Sequence, residues 1–156
     1  VLVAPITLKS YMLQSMLSFL VIAILQVLGF TVIMHFVLGL GQVSWLIALI
    51  LAIFALVVVT LAVAMANVTK SVDEVSVLSI LLIIPMAMLS GAFWPRQVMP
   101  EFLQEIGKFV PTTWVLEAIN RVLAGATLME IQIEILILIM FAVVFLLLGS
   151  WKKTDL

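Results

Sequence analysis

Few residues in this 156-residue chain are equipped for chemistry. Its charged side chains are Lys9, Lys70, Arg96, Lys108, Arg121, Lys152 and Lys153 against eight acids, with a single histidine, His35, and no cysteine. The lack of thiols removes disulfide frameworks, thiolate metal sites and cysteine nucleophiles at once, and leaves the redox compartment open. A lone histidine builds no metal site. Ser90-Gly91 has neither the G-x-S-G context nor a nearby histidine base for a serine nucleophile. A net charge of -1 gives no electrostatic footprint for nucleic acid. The acids pattern as helix caps instead: Ser71-Val72-Asp73-Glu74 and Thr127-Leu128-Met129-Glu130 both match the hydroxyl-x-x-acid box, in which the hydroxyl and the glutamate each satisfy an orphan amide and negative charge meets the positive end of the helix dipole. Asp73, Glu74 and Glu130 are therefore read as caps rather than as proton or ion ligands. His35 has no acidic neighbour within a helical turn and reads as a packing or interfacial residue rather than a proton relay. No catalytic, cofactor-binding or metal-binding residue is expected.

The elements that hold these residues are set by composition. Apolar residues make up 66%, charged residues 10%, and mean hydropathy is +1.43, far outside the globular norm. Positions 10 to 69 carry no formal charge with His35 neutral, room for two helices of the roughly 20 residues each needs to cross a hydrocarbon core and for a turn between them. Gly39-Leu40-Gly41-Gln42 divides that run. Two further charge-free runs, Val75 to Pro95 and Ile135 to Trp151, each follow one of the capping boxes. Runs such as Leu78-Ser79-Ile80-Leu81-Leu82-Ile83-Ile84 lack the alternation of a barrel strand. The expectation is an all-α polytopic membrane bundle with spans at about 11–38, 44–66, 72–93 and 129–151. The chain opens on Val1 without the basic start and cleavage site of a signal peptide, so a piece of a longer protein is expected. Lys9, Lys70, Lys152 and Lys153 sit in short segments on one side of such a bundle, which places both ends of the chain in the cytoplasm.

The faces of the spans are mostly apolar. Tyr11, Gln14, Ser15, Ser18, Gln26 and Gly29 share one sector of the first, a stripe that either packs against other helices or lines a route, with Gln14, Ser18 and Gln26 the route-lining candidates. Ala48-x-x-x-Ala52 and Ala62-x-x-x-Ala66 have the spacing for close helix approach, and Pro85 falls inside the third span. Between the last two spans, Pro95, Pro100 and Pro111 bound a short amphipathic helix. Its apolar face is Met99, Phe102, Leu103, Ile106, Phe109 and Val110. A second short helix, Trp114 to Leu123, carries Glu117 and Arg121 at i,i+4. This two-helix hairpin, about 95–125, is read as an outer architectural or gating element that either lies on the surface or dips back against protein. Its gate candidates are Gly91, Phe93, Pro95, Pro100, Pro111 and Trp114.

Leu89-Ser90-Gly91-Ala92-Phe93-Trp94-Pro95, then Met99-Pro100 with Phe102-Leu103 and Ile106, then Pro111-Thr112-Thr113-Trp114 with Glu117-Ala118 and a last apolar span with a short basic tail, resemble the type-2 ATP-binding-cassette permease family. Leu2-Val3-Ala4-Pro5-Ile6-Thr7 before Tyr11 resembles the end of that family's cytoplasmic coupling segment. The resemblance implies spans three to six of a six-span, multi-pass permease in a bacterial cell membrane. It further implies ATPase contact through Pro5, Thr7 and Lys9, assembly with a second permease copy or paralogue, contact with membrane lipid, and ATP hydrolysis on a separate ATP-binding-cassette subunit. The chain has no G-x-x-x-x-G-K-[ST] phosphate loop, in keeping with that division of labour. The implied function is that of an ATP-driven exporter's membrane subunit. The competing reading, a secondary transporter or channel, calls for ionisable groups at mid-span, where the sequence has none.

Overall fold

The computed structural model describes residues 8–39, 41 and 44–150. Every element among them is helical: α1 (Leu8–Phe36), α2 (Ser44–Val68), α3 (Val72–Ser90), a 3-10 turn (Arg96–Val98), α4 (Glu101–Gly107), α5 (Pro111–Leu123) and α6 (Gln132–Ser150). Four of them, over Leu17–Phe36, Trp45–Val68, Val72–Ser90 and Gln132–Ser150, are long and apolar enough to cross a membrane.

The helix ends have local causes. α1 stops at Phe36, with Gly39 beyond it at a φ of 69°. α3 stops at Ser90, short of position 93, because Gly91 takes the left-handed conformation (φ 96°) that closes a helix at its C-terminus. Its start is capped as the sequence indicated: Ser71 Oγ accepts from the Glu74 amide at 3.2 Å, while the Glu74 carboxylate accepts from the Lys70 amide at 2.7 Å. The second box behaves differently. Glu130 accepts from both the amide and the hydroxyl of Thr127, but this closes a separate turn, and α6 begins only at Gln132. α3 continues through Pro85 from Val72 to Ser90 without a break.

α2 is the central helix. It packs most extensively on α6, then on α1, and it also meets α5. α2 and α6 run parallel, since Asn67 near the end of α2 donates its side-chain amide to the carbonyl of Gly149 near the end of α6. Gly149 permits this approach: a Cβ there would stand 3.1 Å from Val63 Cγ1 and 3.2 Å from the Ala64 amide nitrogen. The close contact therefore uses Ala64, whereas Ala48, Ala52 and Ala62 line hollows between α1 and α2. With lipid as solvent, close van der Waals packing holds such helices together, and small residues let backbones approach.

The core is concentrated at one end. Met34 of α1, Leu46, Ile47, Ile50 and Val57 of α2, Val115, Ala118 and Val122 of α5, and Ile131 and Leu138 around the start of α6 form one buried cluster. Away from this end α2 and α6 stay in close contact as far as Gly149, whereas α3 meets α2 sparsely and packs more on α5 and α4. A hollow of 400 Å³ lies between α2, α3 and the start of α5.

Candidate functional site at the hairpin end

The segment from Ser90 to Glu134 brings together most of the charged side chains. Gly91 turns the chain so tightly that a Cβ would meet Arg96 Cγ at 3.0 Å, and this lets Arg96 fold back across the end of α3. From there Arg96 Nη1 donates to Glu117 at 3.1 Å and Nη2 to the carbonyl of Gln104 at 3.1 Å. Gln104 in turn donates to the carbonyl of Met99 at 2.9 Å. The 3-10 turn, α4 and α5 are thus tied by one guanidinium, whose planar fork suits several acceptors at once. The i,i+4 pairing of Glu117 with Arg121 does not form. Glu117 goes to Arg96, and Arg121 bridges to Glu134 in the first turn of α6. The tertiary partners win because α5 is packed against its neighbours, so the two side chains diverge toward different elements. Glu134 is 3% exposed; its Oε1 accepts from Arg121 and its buried Oε2 has no partner.

The two short helices pack among the spans. Gly107, at the end of α4, sits against α3 so closely that a Cβ would fall 2.8 Å from the Leu89 carbonyl. Thr112 donates to the Met86 carbonyl at 3.0 Å. Met86 lies one helical turn, about 6 Å, before the end of α3. The α4–α5 junction therefore reaches down beside α3 instead of lying flat above it. Pro111 does not end a helix. It occupies the first turn of α5, where its missing N–H costs nothing. Trp114 Nε1 donates to the Lys108 carbonyl at 2.8 Å and closes the turn between the helices. One face of α5, Pro111, Val115, Ala118 and Val122, is buried. The expected apolar face of α4 divides: Met99 and Val110 are buried, but Phe102, Ile106 and Phe109 are exposed. A seven-residue helix wedged against α3 covers only one side of that stripe. Outside the spans, the hydrogen bonds from Thr127 hold the Glu130 carboxyl below its usual value.

The gate candidates fall together here. Gly91 caps α3, Pro95 and Pro100 precede the 3-10 turn and α4, and Pro111 and Trp114 sit at the start of α5. Phe93 is exposed. The route-lining candidates are less gathered. Ser18 donates to the Gln14 carbonyl of its own helix at 2.9 Å, and Gln26 lies two turns further on, in an apolar hollow between α1 and α2. Pro5 and Thr7 lie outside the described residues, and Lys9 falls in the first turn of α1. His35 is exposed and meets Phe36 edge to face. Sequence reasoning missed Glu134, Gly107, Gly149 and Asn67. Only Glu134 carried a signal, an acid inside the first turn of an otherwise apolar span.

Four membrane-length helices, with a two-helix hairpin inserted between the last two, define a polytopic helical membrane protein. The model of the ABC-2 type transporter family matches residues 1–124, and the chain belongs to that family. It is 29% identical over 131 residues to the linearmycin resistance permease protein LnrN of Bacillus subtilis (strain 168), a match covering 82% of this chain and 34% of the relative. It is 31% identical over 117 residues to the inner membrane transport permease YhhJ of Escherichia coli (strain K12), covering 72% of this chain and 31% of the relative. The chain thus spans about a third of the length of these relatives. No solved structure matches it.

Proposed function

We propose that the chain forms the later spans of an ATP-driven exporter's permease, working with a separate ATP-binding-cassette ATPase and a second permease copy or paralogue. The family match over residues 1–124 carries this reading. The uneven packing supports a mechanism. A consolidated hairpin end and a sparsely packed α2–α3 interface let α3 tilt about its hairpin contacts while α2 and α6 move as a unit. The ATPase engages the segment around Pro5, Thr7 and Lys9 on the cytoplasmic side, and its closure shifts α1 against α2. The tilt opens a route beside the hairpin between two permease copies, with Gln14, Ser18 and Gln26 facing it and both chain ends cytoplasmic. Apolar lining without fixed charge suits an amphipathic cargo, and the relative named for linearmycin resistance supports export of a toxic compound. The host is a bacterium and the site its cell membrane.

The test is cargo export by the complete permease in membrane vesicles, with its ATPase either active or disabled in the phosphate loop. Export that stops with the disabled ATPase, together with lowered stimulated ATP hydrolysis in Pro5→Ala and Lys9→Ala, is the expected result. Export driven by an ion gradient alone overturns the reading.

A further inference from the structure

α3 is held differently in its two halves. Beyond Pro85 it is fastened to the hairpin: Thr112 donates to the Met86 carbonyl at 3.0 Å, Gly107 stands against the Leu89 carbonyl, and Ser90 is buried. Before Pro85 the polar side chains close locally. Ser76 and Ser79 donate to carbonyls of their own helix, and the Glu74 carboxylate accepts from the nearby Lys70 amide. No residue from Val72 to Ile84 is buried. Pro85 lacks the N–H that would return to the Leu81 carbonyl, so the helix is weakest at the point where its attachment ends.

The 400 Å³ hollow begins where that fastening stops. The start of α5 bounds its outer end; Val75, Ser79 and Leu82, spaced along one face of α3, form one wall, and Leu61 and Ala62 of α2 belong to the other. The α2 wall is fixed at both ends, by Asn67 and Gly149 on the inner side and by the buried cluster on the outer. Nothing polar opposes closure, because the Ser79 hydroxyl is already bonded to the Val75 carbonyl at 2.7 Å. α2 and α3 run antiparallel across a three-residue turn, and Ala62 and Ser79 lie eight and nine residues from Lys70 within it. They therefore stand at similar depth, and residues this small let helix backbones approach.

We propose that α3 is a hinged strap: Val72–Ile84 bends about Pro85 onto α2 and closes the hollow, while Met86–Ser90 stays docked on the hairpin. From Pro85 to Val72 the lever is about 20 Å long, so a bend of about 10° carries its inner end roughly 3–4 Å. The Thr69–Ser71 turn ties that end to α2, which confines the swing to a short distance and keeps it from opening outward. This deepens the α3 movement of the proposed function and rests on that reading for what drives it. The bend is read from the approach of two helices and not from transport, so the hinge and the export reading can fail separately.

The pair Ala62→Cys, Ser79→Cys is introduced into the membrane-embedded full-length permease, made free of other cysteines, and its rate of oxidation is measured with Pro85 intact or replaced. A disulfide needs Cα atoms within about 7 Å, so bridging reports closure of the hollow. Pro85→Ala restores the backbone donor and is expected to slow 62–79 bridging about three- to tenfold, the effect of one added hydrogen bond. The docked pair Met86→Cys, Thr112→Cys should bridge at an unchanged rate. If Pro85→Ala does not reach the membrane folded, Pro85→Leu, another helix former, decides by the same comparison. A 62–79 rate indifferent to the loss of Pro85 overturns the hinge. Equal slowing of both pairs overturns it as well, since α3 would then tilt as one rod.

Discussion

The spans and the hairpin satisfy their polar groups in opposite ways. Along the spans, Ser18, Thr31, Thr60, Ser76, Ser79 and Ser150 donate to carbonyls three or four residues earlier on the same helix. Those bonds form wherever the helix forms and tie nothing to a neighbour. In the hairpin, Arg96 reaches Glu117, Arg121 reaches Glu134 and Thr112 reaches Met86, each joining separate elements. Among the described residues, Asn67 with Gly149 is the exception along the spans, and it fastens the far end of α2 to α6. A lipid-bathed helix has no unpaired backbone groups to offer, so its relations to other helices are set by shape and by rare polar links. The hairpin, with short helices and exposed turns, is held in place by such links. Position in the bundle is thus encoded mainly at one end.

The largest expected effect follows from Glu134. Arg121→Met leaves its carboxylate buried and unpaired, which should destabilise by roughly 3 kcal/mol, the low end for buried pairs, because the Arg121 side chain is itself 43% exposed. Arg121→Met with Glu134→Leu should recover most of the loss. Thermal unfolding of the purified full-length permease gives both values, and additive losses would mean that the pair is not coupled.

Next is Gly107. Gly107→Ala forces a Cβ against the Leu89 carbonyl, backbone that cannot swing aside, and should cost about 1–3 kcal/mol as overpacking. Gly125→Ala has open space around it and differs in kind: its penalty comes from a φ of 97°, about 1 kcal/mol or somewhat more. Equal melting for wild type and Gly107→Ala would detach α4 from α3.

Asn67→Leu should lose about 1 kcal/mol, in line with interhelical hydrogen bonds inside membranes. Ser18→Ala should change stability by less than about 0.5 kcal/mol, since its bond is local. A loss in Ser18→Ala as large as that in Asn67→Leu would erase the distinction between local and interhelical polar groups.

The smallest effect concerns pH. The Thr127–Glu130 turn lowers the carboxyl's affinity for protons, so its contribution is present above the ordinary value of 4.5 and fades as pH falls through the lowered one. Amide hydrogen-exchange protection factors across residues 127–131, taken relative to the intrinsic rate at each pH, should fall on acidification below that value in wild type, whereas Glu130→Gln should show no such step.

The sequence made the spans legible because absence of charge over membrane length has one cheap physical meaning. The hairpin was legible from Pro95, Pro100 and Pro111, which punctuate the chain wherever it folds, and the Ser71–Glu74 cap from spacing alone. What escaped depends on neighbours distant in sequence. Glu117 and Arg121 have good local spacing, and nothing local reveals that Arg96 and Glu134 compete for them. Gly107 and Gly149 look like ordinary glycines until another backbone is placed against them. The alanine spacing in α2 marked a small-residue helix correctly, but the residue under Gly149 is Ala64. The stretch after Thr127 resembled a helix start because the same box closes a single turn as well.

The central claim is that the α4–α5 junction is docked one turn down the side of α3. The chain contains no cysteine, so a Met86→Cys, Thr112→Cys pair can be introduced into the membrane-embedded permease and oxidised, with Met86→Cys, Phe109→Cys as the control, Phe109 being 82% exposed. Rapid disulfide formation at 86–112 and little at 86–109 is the result this arrangement requires. Failure of 86–112 to bridge, with the thiol introduced by Thr112→Cys instead open to a water-soluble reagent, would mean that the hairpin lies on the surface and that the packing described for α5 is wrong.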